Sequence, residues 1–319
     1  MPVNTKAIKR RMRSVNNTKK ITKAMEMVSA AKMRRAVEAA VNTRTYAVMA
    51  RQILDLLGQA DPSVFELLRL KPVEKILVVL VSSNRGLCGS YNANMFRKAR
   101  GLLQHKKGLA YQPLGLEADE KPRDIEPEIH IIGVGKKSAD FARKNNYPLI
   151  AVFDTFGDRP TFADILPLTR LVREEYIKNS YQKVMVAYTD YKSSLTQEPR
   201  LVQLLPVNIR DIETILDRLG KNEPHHDPNG QLDLEEYLIE PDLTEMISVM
   251  LPRLVEVQLY QTILESAASE HSARMLAMRN ASEAAGAMIR ELSLTYNKAR
   301  QAGITQEISE IVGGAAALG

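Results

Sequence analysis

Leu243-Thr-Glu-Met-Ile247-Ser-Val-Met250-Leu-Pro-Arg-Leu254-Val-Glu-Val257 opens a run in which apolar or small residues return at strict four-three steps. The series continues through Gln261, Leu264, Ala268, His271, Met275, Met278, Ser282, Ala285, Ile289, Leu292, Tyr296 and Ala299. Such a period, held over many heptads, predicts a long helix supercoiled around a partner. At 1.5 Å per residue, about 65 residues would span roughly 100 Å. Pro241 suits a first-turn position. Pro252 removes a hydrogen bond inside the run and predicts a bend. Gly286 and Gly303 cost about 1 kcal/mol each relative to alanine, too little to end so long a pattern.

The partner is expected at the other end of the chain. From Lys6 to Leu57 there is neither proline nor glycine. Ile8, Met12 and Val15, then Ile21, Met25 and Val28, recur at helical spacing. Ala36, Ala40, Thr43, Ala47, Ala50, Leu54 and Leu57 extend a heptad-like stripe. Gly58 and Asp61-Pro62 end it. Between the two helices the pattern changes. Lys75-Ile-Leu-Val-Val-Leu-Val81 is a continuous apolar, β-branched run of the kind buried on both faces of a sheet. Ile129–Val134, Leu149–Phe153 and Val184–Tyr188 are similar, and Leu201–Val207 is a candidate fifth strand. Helical stretches over Asn94–Gln104, Lys137–Asn145 and Phe162–Asn179 alternate with them. Alternation of this kind implies a mainly parallel sheet.

The expected fold is therefore α/β: a long antiparallel coiled coil of N- and C-terminal helices flanking a Rossmann-like α/β domain. The expected boundaries are 1–60 for the first helix, 74–210 for the α/β domain, 211–236 for a polar insertion and 241–317 for the last helix.

Composition narrows the function. Aromatic residues are 5% and tryptophan is absent, which favours helices packed through Ala, Met, Leu and Ile. A net charge of +6 suits an anionic partner, for which an acidic protein surface serves as well as nucleic acid. The single cysteine, Cys88, excludes an internal disulfide and a cysteine-based zinc site. No apolar run reaches the ~18 residues of a membrane span. The basic N-terminus, whose first acid is Glu26, has the profile of a transit peptide, but the helical period runs on through it.

The short motifs have plainer readings. Gly133-Val-Gly135-Lys136-Lys137-Ser138 invites a phosphate loop, yet His130 stands where a glycine is needed and Lys137 where Ser or Thr is needed. A strand-to-helix turn explains it. Asp227-Pro-Asn229-Gly230 begins like a calcium loop, but its glycine comes two positions early. His225-His226 lacks a third metal ligand at a suitable spacing, and His130 reads as a packed strand residue. Cys88 has no nearby His or Asp to activate it and reads as structural. The cations Lys6, Lys9, Arg10, Arg11, Arg13, Lys19, Lys20, Lys23, Lys32, Arg34 and Arg35 admit three readings: a solvated face, a phosphate-backbone grip, or a basic helix sliding past acidic protein loops.

Four blocks favour the last. Asn17-Thr-Lys-Lys-Ile-Thr-Lys-Ala-Met-Glu-Met-Val-Ser-Ala-Ala-Lys32-Met33-Arg34, Asn84-Arg-Gly-Leu-Cys-Gly89, Gln203-Leu-Leu-Pro206 with Tyr237-Leu-Ile-Glu240-Pro241-Asp242, and Tyr296-Asn-Lys-Ala-Arg300-Gln301-Ala-Gly-Ile-Thr305-Gln-Glu307-Ile-Ser-Glu-Ile-Val312 stand in order from end to end. Together they resemble the gamma subunits of bacterial F-type ATP synthases. The resemblance implies a rotor shaft that couples c-ring rotation to catalytic beta subunits and is itself non-catalytic, with no cofactor or metal. Implied partners are the alpha, beta, epsilon and c subunits, with no nucleic acid. Membrane association would run only through the c-ring, at the cytoplasmic face of the bacterial membrane. By the family pattern, Lys23, Met25, Lys32, Arg34, Arg300, Gln301 and Thr305 would contact a beta subunit, and Tyr237 and Glu240 the c-ring or epsilon. The polar insertion resembles the chloroplast regulatory insertion in place but contains no cysteine, so thiol switching is not expected. Two other readings make different predictions. A nucleic-acid-binding coiled coil predicts salt-sensitive affinity. An enzyme predicts a ligand at the carboxyl ends of the strands.

Overall fold

The computed structural model describes residues 5–42, 64–110, 126–157, 160–208 and 243–318. The elements are α1 (Thr5–Asn42), β1 (Lys75–Val81), α2 (Tyr91–Leu103), α3 (Lys106–Leu109), β2 (Glu128–Val134), α4 (Lys136–Lys144), β3 (Leu149–Phe153), α5 (Phe162–Ile177), β4 (Lys183–Tyr191), β5 (Gln197–Leu205) and α6 (Leu243–Leu318). They form two compact units, one of Met1–Ala30 with Arg274–Gly319, the other of Ala31–Ala273.

In the second unit five strands stand in the order β3-β2-β1-β4-β5. The first four are parallel, and β5 returns antiparallel to β4. This is the Rossmann-like arrangement, with strand order reversing between β1 and β4. The continuous apolar run of β1 is explained by burial on both faces. Leu77 and Val79 join Ile165, Leu168 and Val172 of α5 and Ile247, Leu251 and Leu259 of α6. Ile76, Val78 and Leu80 meet Met95, Ala99 and Leu103 of α2 and Phe141 of α4. The α5 helix starts at a capping box: the Asp164 amide donates to Thr161 Oγ1, and the Thr161 amide donates to Asp164 Oδ2 at 2.8 Å.

In the first unit α1 and α6 pair. Both cross into the other unit, at Ala30 and at Arg274. Gly286 of α6 lies against Lys19 of α1, 12 and 11 residues from those crossings, so the pair is antiparallel. The α6 seam follows the expected steps: Met278, Ser282 and Ala285 are buried, and Ile289, Leu292, Tyr296 and Ala299 half-buried. The helix continues through Pro252, Gly286 and Gly303.

The seam of α1 differs from the expectation. Ile8, Met12 and Val15 are half-buried, but Ile21 and Val28 are exposed at 60% and 53%. The inward row is instead Thr22, Glu26 and Ser29. Close approach of two helices favours small side chains, and a hydroxyl can return its bond to its own backbone. Thr22 Oγ1 does so to the Lys19 carbonyl at 3.0 Å. Hydrophobicity alone marked the wrong row. Within the second unit the row resumes with Met33 and the buried Ala36. The stripe positions from Thr43 to Leu57, the polar segment 211–236 and Pro241 lie outside the described residues.

Candidate functional site

A doubly wound sheet takes its ligands in the crevice where strand order reverses, outside the carboxyl ends of the strands. Here that crevice lies between β1 and β4 and is filled by α6. The Tyr91 hydroxyl, at the start of α2, lies 2.7 Å from Ser266 Oγ. Ser269 Oγ donates to the Thr189 carbonyl of β4 at 3.1 Å. Ser266 and Ser269 are fully buried there, and Tyr91 and Thr189 nearly so.

The neighbouring phosphate-loop look-alike is closed in the same way. Gly135 adopts φ +87° as the turn into α4. The Lys136 amide donates to Asn84 Oδ1 at 3.0 Å, and the Lys137 amide to the Ser83 carbonyl at 3.2 Å. The N–H groups that would cradle a phosphate are thus taken by the loop after β1. Cys88 is buried in that loop, where Asn92 Nδ2 lies 3.3 Å from its sulfur. His130 sits in β2 with Nδ1 2.7 Å from the Tyr181 hydroxyl, the packed role expected of it. Among the described residues no group of His, Cys, Asp and Glu is arranged to hold a metal. His225, His226 and the Asp227 segment lie outside them.

Burial of the crevice has a measurable consequence. It pushes the Tyr91 phenol well above its ordinary range, with the Glu270 charge adding to the effect. Tyr176 is raised likewise, by burial and then by Glu66. An unfolded tyrosine ionises near pH 10. Both raised groups therefore contribute stability that is complete below about pH 10 and is lost as pH climbs towards the folded values. In an alkaline titration followed by phenolate absorbance, these two of the 11 tyrosines should ionise only as the domain unfolds. Ionisation of all tyrosines near pH 10 with the fold intact would contradict the burial described.

The remaining chemistry lies on the helix pair. The first unit holds 13 Lys and Arg against 5 Asp and Glu, a net of +8, so the rest of the chain carries 31 against 33, a net of −2. The positive charge is thus concentrated on the paired helices. Lys23 is exposed and paired with Glu26 at 3.0 Å, and Met25 is half-buried beside it. An exposed pair of this kind is worth about 0–1 kcal/mol and exchanges readily for another partner. Arg300, Gln301 and Thr305 are exposed on α6, where Thr305 Oγ1 donates to the Gln301 carbonyl at 3.0 Å. Counting from Lys19 opposite Gly286, Lys23 and Arg300 are about 18 residues apart along the pair, or roughly 27 Å. They stand at two separate levels along the helix pair. In the second unit, Lys32 is half-buried and Arg34 exposed. Tyr237 and Glu240 lie outside the described residues.

One surface escaped the heptad reading. From Arg300 to Ala315 every residue of α6 is exposed, because the helix outruns α1. Ile304, Ile308 and Ile311 recur there on one face, at 49%, 56% and 72% exposure. The signal was present in the sequence as a step of four then three, displaced by one or two positions from the continuation of the row that ends at Ala299. On α1, Ile21, Met27 and Val28 are likewise turned outward. No helix among the described residues is long and apolar enough to cross a membrane.

Fold and surfaces together define a class: a coiled-coil protein whose Rossmann-like domain has its ligand crevice filled by its own C-terminal helix, and whose helix pair offers cationic and apolar rows to partner proteins. The comparisons agree with that class. A family model described as ATP synthase matches residues 4–318. An ATP synthase gamma chain of Roseiflexus castenholzii is 39% identical, covering 98% of each chain. One from Dehalococcoides mccartyi is 38% identical over 99% of each. Among solved structures, a chain of the Euglena gracilis mitochondrial ATP synthase (OSCP/F1/c-ring) superposes with a TM-score of 0.61 at 20% identity, covering 98% of this chain and 94% of that one. A chain from the central stalk and c-ring of the Tetrahymena thermophila enzyme gives 0.53 at 23% identity, over 82% and 99%. The chain belongs to the ATP synthase gamma-chain family.

Proposed function

We propose that this chain is the central rotor shaft of a proton-translocating ATP synthase, coupling c-ring rotation to conformational change at catalytic beta subunits, and that it performs no bond chemistry itself. The observation that carries this reading is the C-terminal stretch of α6 from Arg300 onward, helical but exposed on every side and bearing an apolar row. A lone helix of this length is marginal in water, and an apolar row without a partner marks an interaction surface. A close-fitting sleeve of partner subunits supplies what it lacks.

In this reading the sleeve is the ring of alpha and beta subunits. Arg300, Gln301 and Thr305 meet a beta subunit at one level. Lys23 and Met25, with Lys32 and Arg34 further along α1, meet acidic beta loops at another. Tyr237 and Glu240 approach the c-ring or epsilon. The contacts suit rotation because each is weak. Exposed charge pairs and flexible methionines are made and broken at little cost. An asymmetric shaft binds the conformations of the surrounding subunits unequally at each angle, and that difference shifts their populations. The chain holds no catalytic or cofactor-binding residue in this account. It associates with the membrane peripherally, through the c-ring, at the cytoplasmic face of the bacterial membrane.

The test is gentle purification of the tagged chain from its native membranes. Co-purification of alpha and beta subunits with ATP hydrolysis is the expected result. A chain recovered without them, or with nucleic acid bound in a salt-sensitive way, would favour the coiled-coil nucleic-acid binder instead.

A further inference from the structure

Between Gln258 and Ser272, α6 is buried on almost every side. Within this stretch three serines at i, i+3 and i+6 turn their hydroxyls away from their own helix and onto the α/β domain. Ser266 Oγ lies 2.7 Å from the Tyr91 hydroxyl and 3.4 Å from the Thr189 amide, which donates to it. Ser269 Oγ donates to the carbonyl of the same Thr189 at 3.1 Å. Ser272 Oγ donates to the Ser194 carbonyl at 2.7 Å and accepts from Gln197 Nε2 at 3.3 Å.

The sheet accounts for the pattern. The last β4 residue paired with β1 is Ala187, so Thr189 lies beyond the reach of that strand. The N–H and C=O of a strand residue leave on the same edge, and those of Thr189 point away from β5 and towards α6. Thr189 therefore has backbone groups to satisfy in a dry interior, and α6 satisfies both. Apolar burial would not fix the helix so well, because it is non-directional and Ala267, Ala268 and Ala273 present shallow ridges. The three serines reach about 120° around the helix and about 9 Å along it. Bonds spread in this way oppose both rotation of the helix about its axis and sliding along it, and breaking them strands buried polar groups.

We propose that Ser266, Ser269 and Ser272 form a torsional lock, fixing the rotation and axial register of α6 against the α/β domain so that torque passes between them without slip. The proposal rests on the shaft reading above. The serines are positioning residues: they touch no substrate and act through the helix they hold.

The test uses the whole complex carrying either S266A/S269A/S272A or Y91F. Two activities are compared: ATP hydrolysis by the detached catalytic head, which works against no load, and ATP-driven proton pumping by the membrane-bound complex, which does. The lock predicts that hydrolysis stays within about twofold of the parent while protons pumped per ATP fall at least about fivefold in the triple variant, and by less in Y91F. It also predicts faster amide exchange across residues 262–273 of the assembled complex. Equal losses in both activities, or unchanged pumping, would overturn the lock. Should the triple variant fail to assemble, Y91F decides by the same comparison, since it leaves α6 intact. A parent chain that assembles with no alpha or beta subunits would instead remove the shaft reading, and the lock with it.

Discussion

Gly135→Ala should destabilise the α/β domain by about 3 kcal/mol or more, the largest single-residue effect expected in this chain. The residue combines φ +87° with ψ 151°, a conformation open in practice only to glycine. A β-carbon there would also collide with the Ser82 carbonyl oxygen, which is backbone and has no rotamer to change. Relief would require moving the loop after β1, whose Ser83 and Asn84 accept the first amides of α4. The loss corresponds to a fall of roughly 6–12 °C in the melting temperature of the α/β domain. Gly101→Ala is the control. It lies in α2, where a β-carbon meets nothing within 4 Å, and alanine should stabilise by up to about 1 kcal/mol. Equal melting temperatures for the two variants would contradict the geometry of the turn.

Ending the chain after Ala299 should separate folding from function. Residues from Arg300 to Ala315 are exposed throughout, so their removal should leave melting of the α/β domain unchanged and subtract only helical signal. Coupled ATP synthesis by the complex should fall by at least about tenfold, because the apolar row and Arg300, Gln301 and Thr305 go together. Ile308→Asp is the finer variant. At 56% exposure its aspartate costs the isolated chain almost nothing, while inside a sleeve it buries a charge. Assembly yield should fall while the melting temperature holds. Unchanged assembly would mean that this face of the tip meets no partner.

How much of this was legible in the sequence depended on whether the determining force was hydrophobic. The strands were, because β1 is buried on both faces and reads as a continuous apolar run from Ile76 to Val81. The α6 seam was legible to Ala299 for a similar reason: its row is mostly apolar and strictly spaced. The α1 seam was not. Thr22 and Ser29 face inward, and Ile21 and Val28 outward, so apolar spacing pointed to an outward-facing row instead of the pairing row. The serines of α6 were also hidden. A serine in a helix normally suggests solvent, and only the needs of Thr189, which the strand register determines, give Ser266 and Ser269 their roles. The available signal was their i, i+3, i+6 spacing inside a stretch with no exposed face. The closed crevice follows from the same packing. The failed phosphate motif around Gly135 was readable, but the filling of the crevice by α6 depends on contacts some 80 residues apart in the chain.

A shaft of this kind should turn inside its partners. Leu195, 75% exposed on the turn between β4 and β5, offers a handle, because the only native thiol, Cys88, is buried. With Leu195→Cys carrying a bead and the alpha and beta subunits fixed to a surface, ATP should drive sustained rotation in one direction. A bead that only fluctuates about a fixed angle while the same complexes hydrolyse ATP would contradict the account.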